Sequence, residues 1–247
     1  MNYINKIICG DCLNIIKQLP SNFIDLIIAD PPYLTTNEKW DKKEIFSDEI
    51  IKELFRVAKD NCSIYIWCGI GEKSQSLIRW FHLLKKYFYF KDLITWKKQR
   101  GIGMKRGWLY TREEIMWFVK DNKKFIWNKK EQYSEEKRPW NVYKKGGEMV
   151  NKSEFKRYTN VWTDIIEDGY GSCPKKYSEK RFHFTPKPVK AMERIIKLHT
   201  KENDVVLDSF LGSGTTAVAC KKLNRKFIGI ELDKEHCKIA KQRINNI

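Results

Sequence analysis

A chain of 247 residues can bury one α/β core with an insertion, and its 48 Lys and Arg against 31 Asp and Glu give a formal charge of +17 that suits a polyanionic partner. A soluble surface, or a genome biased toward Lys, Asn and Ile, would produce the same charge. Seven cysteines, an odd number set mostly in apolar runs, speak against a disulfide framework and for reduced thiols. No signal peptide and no apolar run of about eighteen residues occurs, so a soluble, cytoplasmic protein without membrane contact is expected.

Residues 5–9 read as a short first strand, with Asp11 placed to cap a helix through Leu13, Ile16 and Leu19. Cys9 and Cys12 have no second pair at zinc-ligand spacing and read as structural. Residues 23–28 form a buried strand that runs into Ala29-Asp30-Pro31-Pro32-Tyr33. The polar stretch 34–41 reads either as a lid that closes over substrate or as a solvated linker. Apolar spacing predicts helices over 47–59 and 72–87 and a buried strand over 62–67 between them. Strands over 90–96 and 114–119 flank the basic, glycine-containing run 97–108, which reads as a loop on a phosphate backbone or as a solvated charge run.

From 121 to 181 periodicity fades, and Trp127, Tyr133, Trp140, Tyr143, Tyr158 and Trp162 interleave with Lys and Arg. A stretch this long and this aromatic reads as a functional insertion that contacts nucleic acid, although any single tryptophan in it reads better as core packing. Thr185-Pro186-Lys187-Pro188 then opens a helix through Met192, Ile195, Ile196 and Leu198. Residues 204–208 form a buried strand, Ser209 to Ala217 a glycine turn entering a helix, residues 227–230 a strand ending in Glu231, and residues 234–244 a last helix. Seven strands with interleaved helices fit an α/β, largely parallel, doubly wound sheet.

Two of these turns carry chemistry. Pro31 and Pro32 lack N–H groups and stiffen the end of their strand, leaving carbonyls unclaimed beside Asp30 and the ring of Tyr33. Such a turn suits a planar group bearing an amine, with Asp30 and a carbonyl accepting its two protons and Tyr33 stacking on its ring; a tight turn with a surface Asp is the plainer reading. The strand, glycine turn and helix at 204–217, with Glu231 about twenty residues on to accept ribose hydroxyls, form a nucleotide-cofactor unit. The glycines also fit the dinucleotide pattern. Asp208 argues against that, because a carboxylate at the strand tip repels a pyrophosphate and attracts the sulfonium and ammonium of S-adenosyl-L-methionine.

Taken with Gly10-Asp11, Trp96-Lys97-Lys98 and His183 to Pro188, these motifs resemble the amino-group DNA methyltransferases. The tetrapeptide precedes the glycine loop, an order similar to the family's β group, and the chain departs from the family at Phe184 and Pro186, where Pro and Gln are usual. The resemblance implies a Rossmann-like methyltransferase fold with circularly permuted motif order. It implies catalysis at Asp30, Pro31, Pro32 and Tyr33, and S-adenosyl-L-methionine held by Asp11, Thr185, Lys187, Asp208, Phe210, Gly212, Ser213, Gly214, Thr215 and Glu231. In this scheme residues 1–120 and 182–247 make one catalytic core and 121–181 recognise the target. The implied partners are double-stranded DNA, a second copy of the chain in a homodimer, and a cognate restriction endonuclease. An Asp at the head of the tetrapeptide points to N6 of adenine, with N4 of cytosine as the alternative. Methylation of RNA or protein, and a non-catalytic DNA-binding subunit of the same fold, are the other readings.

Overall fold

The computed structural model describes residues 3–35, 44–71, 74–102, 107–137, 144–145, 148–149, 154–167 and 186–247. In chain order they form β1 (Lys6–Cys9), α1 (Cys12–Ile16), β2 (Ile24–Ala29), α2 (Asp48–Val57), β3 (Ala58–Cys68), α3 (Ser76–Leu84), β4 (Tyr89–Ile102) and β5 (Tyr110–Val119). Then follow the short strands β6 (Tyr133–Lys137), β7 (Lys144–Lys145), β8 (Glu148–Met149), β9 (Phe155–Arg157) and β10 (Val161–Trp162). The chain closes with α4 (Val189–His199), β11 (Val205–Asp208), α5 (Thr215–Lys222), β12 (Lys226–Glu231) and α6 (Lys234–Asn245).

The main sheet runs β1-β12-β11-β2-β3-β5-β4-β10, and only β5 is antiparallel to its neighbours. Seven of its strands are those expected from the sequence. The eighth, β10, is two residues long and returns from the insertion to pair with Thr95 and Trp96. The central strands are apolar on both sides because both sides are covered. On one face Ile27 and Ala29 of β2 pack with Ile51 and Leu54 of α2 and Trp80 of α3. On the other, Leu26 and Ile28 pack with Ile195 and Ile196 of α4 and Ala217 of α5. Helices α2 and α6 start where their acidic or hydroxyl caps, Ser47 and Asp233, accept backbone N–H groups.

Chain order reverses between β2 and β11: connections from β2 wind toward β3, and those from β11 wind toward β12 and β1. The pairing sets Leu26 against Val206 and Ile28 against Asp208, so the two strands end side by side. Asp25 locks this register. It is 3% exposed, both carboxylate oxygens accept from Lys59 Nζ of β3 at 2.8 and 2.9 Å, and Oδ2 also accepts the Val205 amide at 2.9 Å.

Part of the expected insertion belongs to the core. Trp127 stacks on Trp117 of β5, and both rings flank His199. Nδ1 of His199 lies 2.7 Å from the Ile126 carbonyl and therefore donates to it, which leaves Nε2 to accept from the Tyr65 hydroxyl at 2.6 Å. Burial pushes this imidazole down to about 4, so it is neutral at pH 7. On the return, Trp162 and Ile165 are buried, and Arg194 of α4 lies over the Tyr158 and Trp162 rings while paired with Asp164. Trp140 and Tyr143 lie outside the described residues.

The basic run 97–108 departs from expectation, because β4 continues through Ile102, with Lys97 opposite Arg112 and Ile102 opposite Tyr110. The backbone pairing of β5 extends the hairpin past the apolar residues from which a strand is read. Residues 103–106 lie outside the described residues, as do 36–41 of the expected lid, and Trp108 is 93% exposed.

Replacing Asp25 by Ala is expected to cost about 2–3 kcal/mol of folding stability, because Lys59 and the Val205 amide both lose a charged acceptor. Lys59→Met leaves the buried Asp25 carboxylate without its cation and should cost at least as much, and denaturant unfolding of both variants checks this.

Candidate active site

The end of β2 delivers Asp30 to the carboxyl edge of the sheet, and the neighbouring β11 delivers Asp208 to the same edge. Tyr33 folds back so that its hydroxyl donates to Asp30 Oδ1 at 2.6 Å. The phenol is held well above its ordinary pKa by burial and by the Asp30 and Glu113 carboxylates, so it stays a neutral donor. Its ring lies 6.1 Å from Trp80, Trp80 lies 5.0 Å from Phe46, and Phe46 lies 6.3 Å from Phe210 of the glycine turn. An aromatic row therefore links the two turns.

Lys187 is placed on the catalytic turn, where its ammonium sits 2.9 Å from Asp30 Oδ2 and 2.9 Å from Glu113 Oε2, and 5.5 Å from the centre of the Tyr33 ring. Burial would lower its pKa, but the two carboxylates outweigh that and hold it above the ordinary lysine value. Glu113 also pairs with Lys98, at 2.5 Å, and Lys98 reaches Glu167 at 3.4 Å. Burial alone would raise the Glu113 carboxyl; the Lys187 and Lys98 ammoniums reverse this and bring it to about 2. Lys98, expected in a basic loop, is thus an inward-facing member of an ion-pair row.

At the glycine turn, Asp208 Oδ1 accepts the Phe210 amide at 3.0 Å and Oδ2 accepts the Thr216 hydroxyl. Burial dominates these bonds and, with the Asp30 and Glu231 charges, raises the carboxyl to about 7. Gly212 and Gly214 take φ of 56° and 89°, a region that disfavours side chains. A Cβ on Gly214 would also meet Ala240 of α6 at 2.8 Å. Glu231 Oε2 accepts the Gly212 amide at 2.7 Å and Oε1 the Asp233 amide at 2.8 Å, so Glu231 already braces the loop. Arg243 of α6 donates to the carbonyl and hydroxyl of Ser213 at 2.8 and 2.7 Å and lies 3.4 Å from the Thr215 hydroxyl. Asp11 caps α1 by accepting the Asn14 amide at 3.0 Å. It follows β1, which pairs with β12 through Cys9 and Glu231.

The structure therefore gathers Asp11, Glu231, Asp208, Phe210, Gly212, Gly214, Asp30, Pro31, Pro32 and Tyr33 along one edge of four neighbouring strands and their turns. Ser213 and Thr215 face Arg243, Lys187 faces Asp30 and Glu113, and Thr185 lies outside the described residues. Glu113, Phe46 and Arg243 were not singled out from the sequence. The acidic doublet Glu113-Glu114 at the mouth of an otherwise apolar strand is the one local signal that could have drawn notice to the first of them.

The glycine turn fits a nucleoside that carries positive charge. Ser209 Oγ is buried with no hydrogen-bond partner among the described residues, and beside it stand an ionisable carboxyl and a tight, side-chain-poor loop. A pyrophosphate would meet Asp208 head-on. No group of ligating side chains suited to a metal occurs among the described residues. A Rossmann-like sheet sets this turn beside a proline-stiffened acidic turn, an arrangement suited to an enzyme that presents a cationic nucleoside cofactor to an amine.

Comparison with known proteins gives the acceptor class. A family model described as DNA methylase, of the N6/N4 methyltransferases, matches residues 24–242. The Type II methyltransferase M.HpaI of Haemophilus parainfluenzae is 35% identical over 251 residues, spanning 98% of this chain and 74% of the relative. The DNA adenine methyltransferase YhdJ of Escherichia coli (strain K12) is 33% identical over 259 residues, spanning 99% of this chain and 84% of the relative. The crystal structure of an M1.HpyAVI–SAM complex superposes with a TM-score of 0.65 at 30% identity, covering 97% of this chain and 98% of that one. The chain belongs to the N6/N4 family of DNA methylases.

The raised pKa of Asp208 makes folding stability depend on pH in a defined direction. The folded, cofactor-free protein holds a proton there up to about pH 7, whereas the unfolded chain releases it near the ordinary aspartate value of 3.8. Stability contributed by this group is therefore lost as pH rises across that window. Asp208→Asn is expected to be more stable than wild type at pH 8, with the advantage fading toward pH 4, as read by denaturant unfolding across pH.

Proposed function

We propose that the protein methylates the exocyclic N6 of adenine in duplex DNA, with S-adenosyl-L-methionine as methyl donor. The observation that carries the reading is the pairing of β2 with β11, which sets the Asp30 turn and the Asp208 turn side by side at one sheet edge. When bound, S-adenosyl-L-methionine supplies an electrophilic methyl group on a sulfonium. Asp208, Phe210, the Gly212 to Gly214 backbone and the Ser209 hydroxyl, which has no partner among the described residues, would hold it, with Glu231 and Asp11 on the next strands outward.

Asp30 has work left to offer an amine. Its carboxylate has about four lone-pair sites. Tyr33 and Lys187 use one on each oxygen, so each oxygen keeps acceptor capacity for an incoming N–H. Asp30 and the Pro31 carbonyl accept the two amine protons, which frees the nitrogen lone pair from the ring. Tyr33 supplies an aromatic face for the base, which must leave the duplex stack to reach this edge. Holding the amine in line contributes most of the acceleration, on the order of 7–11 kcal/mol for well-oriented reactants. The methylated amine then loses its surplus proton, for which Asp30 is the adjacent acceptor, and no stronger base is needed.

Adenine is favoured by the Asp at the head of the tetrapeptide and by the adenine activity named for YhdJ. Within residues 121–181, the basic and aromatic side chains that lie between Trp127 and Tyr158, both packed on the scaffold, support an assignment to target recognition. The Type II names of the relatives support a place beside a cognate endonuclease in a restriction-modification system, acting on cytoplasmic DNA. Pairing into a homodimer belongs to the same reading and is tested by sedimentation. No described helix is long and apolar enough to cross a membrane.

Asp30→Ala is expected to lower methyl transfer to DNA by more than about a hundredfold while cofactor affinity changes little, since the loss falls on the reacting amine. Nucleoside mass analysis of methylated DNA should return N6-methyladenine; N4-methylcytosine would select the alternative base, and transfer to RNA or protein alone would overturn the reading.

A further inference from the structure

The ion-pair row behind the catalytic turn has a centre that the reaction scheme above does not use. Its members alternate in sign: Asp30, Lys187, Glu113, Lys98 and Glu167. The side chains of Lys187, Glu113 and Lys98 are 12%, 17% and 14% exposed, so water screens their interactions weakly. Lys187 lies at the same 2.9 Å from Asp30 and from Glu113, shared between them.

We propose that Glu113 is a positioning residue for methyl transfer, holding Lys187 midway so that Asp30 keeps its negative charge available to the target amine. The inference rests on the proposed function of the Asp30 turn. Its logic is a count of charge. The five members of the row together carry one net negative charge; with Glu113 neutral they carry none, and Asp30 faces Lys187 as a neutral pair. Methyl transfer places positive charge on a nitrogen held against Asp30, and a neutral pair next to it stabilises that charge poorly. Glu113 also holds Lys187 at a distance equal to that of Asp30, so the oxygens that must face the amine do not carry the ammonium alone. Lys98 in turn anchors Glu113, and Glu167 joins the row from the stretch that follows β10.

The test measures tritium transfer from labelled S-adenosyl-L-methionine to unmethylated mixed-sequence DNA, alongside cofactor binding by calorimetry. Glu113→Gln is expected to lower kcat by about tenfold or more, while KM for the cofactor stays within about twofold, because the lost interaction acts on the transition state. Glu113→Asp, which keeps the charge but withdraws it by one methylene, should fall between. In a Lys187→Gln background, Glu113→Gln should cost less than about twofold, since residues that act through one another are not additive.

Wild-type kcat in Glu113→Gln, a change confined to KM, or the full loss of kcat persisting in the Lys187→Gln background would each overturn the inference. If Glu113→Gln does not fold, Glu113→Asp decides alone, and wild-type kcat there overturns it. An inactive wild type on DNA would sink the proposed function instead.

Discussion

The parallel pairing of β2 with β11, locked by Asp25, is the constraint on which the molecule depends. Two segments about 180 residues apart in sequence, as the bond from Val205 to Asp25 records, must end at the same height for an amine and a methyl donor to meet. A one-residue slip would send alternate side chains to the opposite face and move Asp30 away from Asp208. Apolar side chains supply cohesion here but little register, since Leu, Ile and Val occupy both faces of both strands. The buried carboxylate supplies the register, because Lys59 and the Val205 amide satisfy it in one alignment only.

The same principle recurs nearer the chemistry. Buried charge is tolerated where every member of a row has a partner of opposite sign, and the row from Asp30 to Glu167 meets that condition. The glycine turn follows a different rule. Among the described residues its acid, Asp208, has only neutral donors, and burial raises it accordingly. One turn is electrostatically complete and stiff, and the other is left in deficit. That asymmetry suits a site in which one side positions an acceptor while the other receives a cationic donor.

Much of this was legible in the sequence, and the exceptions share a cause. Seven strands and six helices follow from apolar runs and spacing because each is a local property. The two turns were legible because proline restricts the backbone and glycine frees it wherever they stand. Asp25 could not be recognised as a lock, since it sits in an apolar run and its partners are Lys59 and Val205. Lys98 and Lys187 were readable as cations but not as partners of Glu113, for their pairing depends on β4, β5 and the entry to α4 folding together. Ser213 and Thr215 were assigned by pattern to the cofactor, and the structure shows Arg243 fastening both to α6.

The moorings of the insertion carry a consequence for how such a protein diversifies. Its outgoing limb is pinned by Trp127 and Asn128 against α4 and β5, and its returning limb by Tyr158, Trp162 and Asp164 against α4 and β4. Both anchorages belong to the scaffold, so what lies between them is free to be rewritten while the scaffold's vocabulary of contacts stays unchanged. On the proposed assignment of residues 121–181 to target recognition, a lineage built on this plan changes the word of DNA it reads and keeps the scaffold that writes on it.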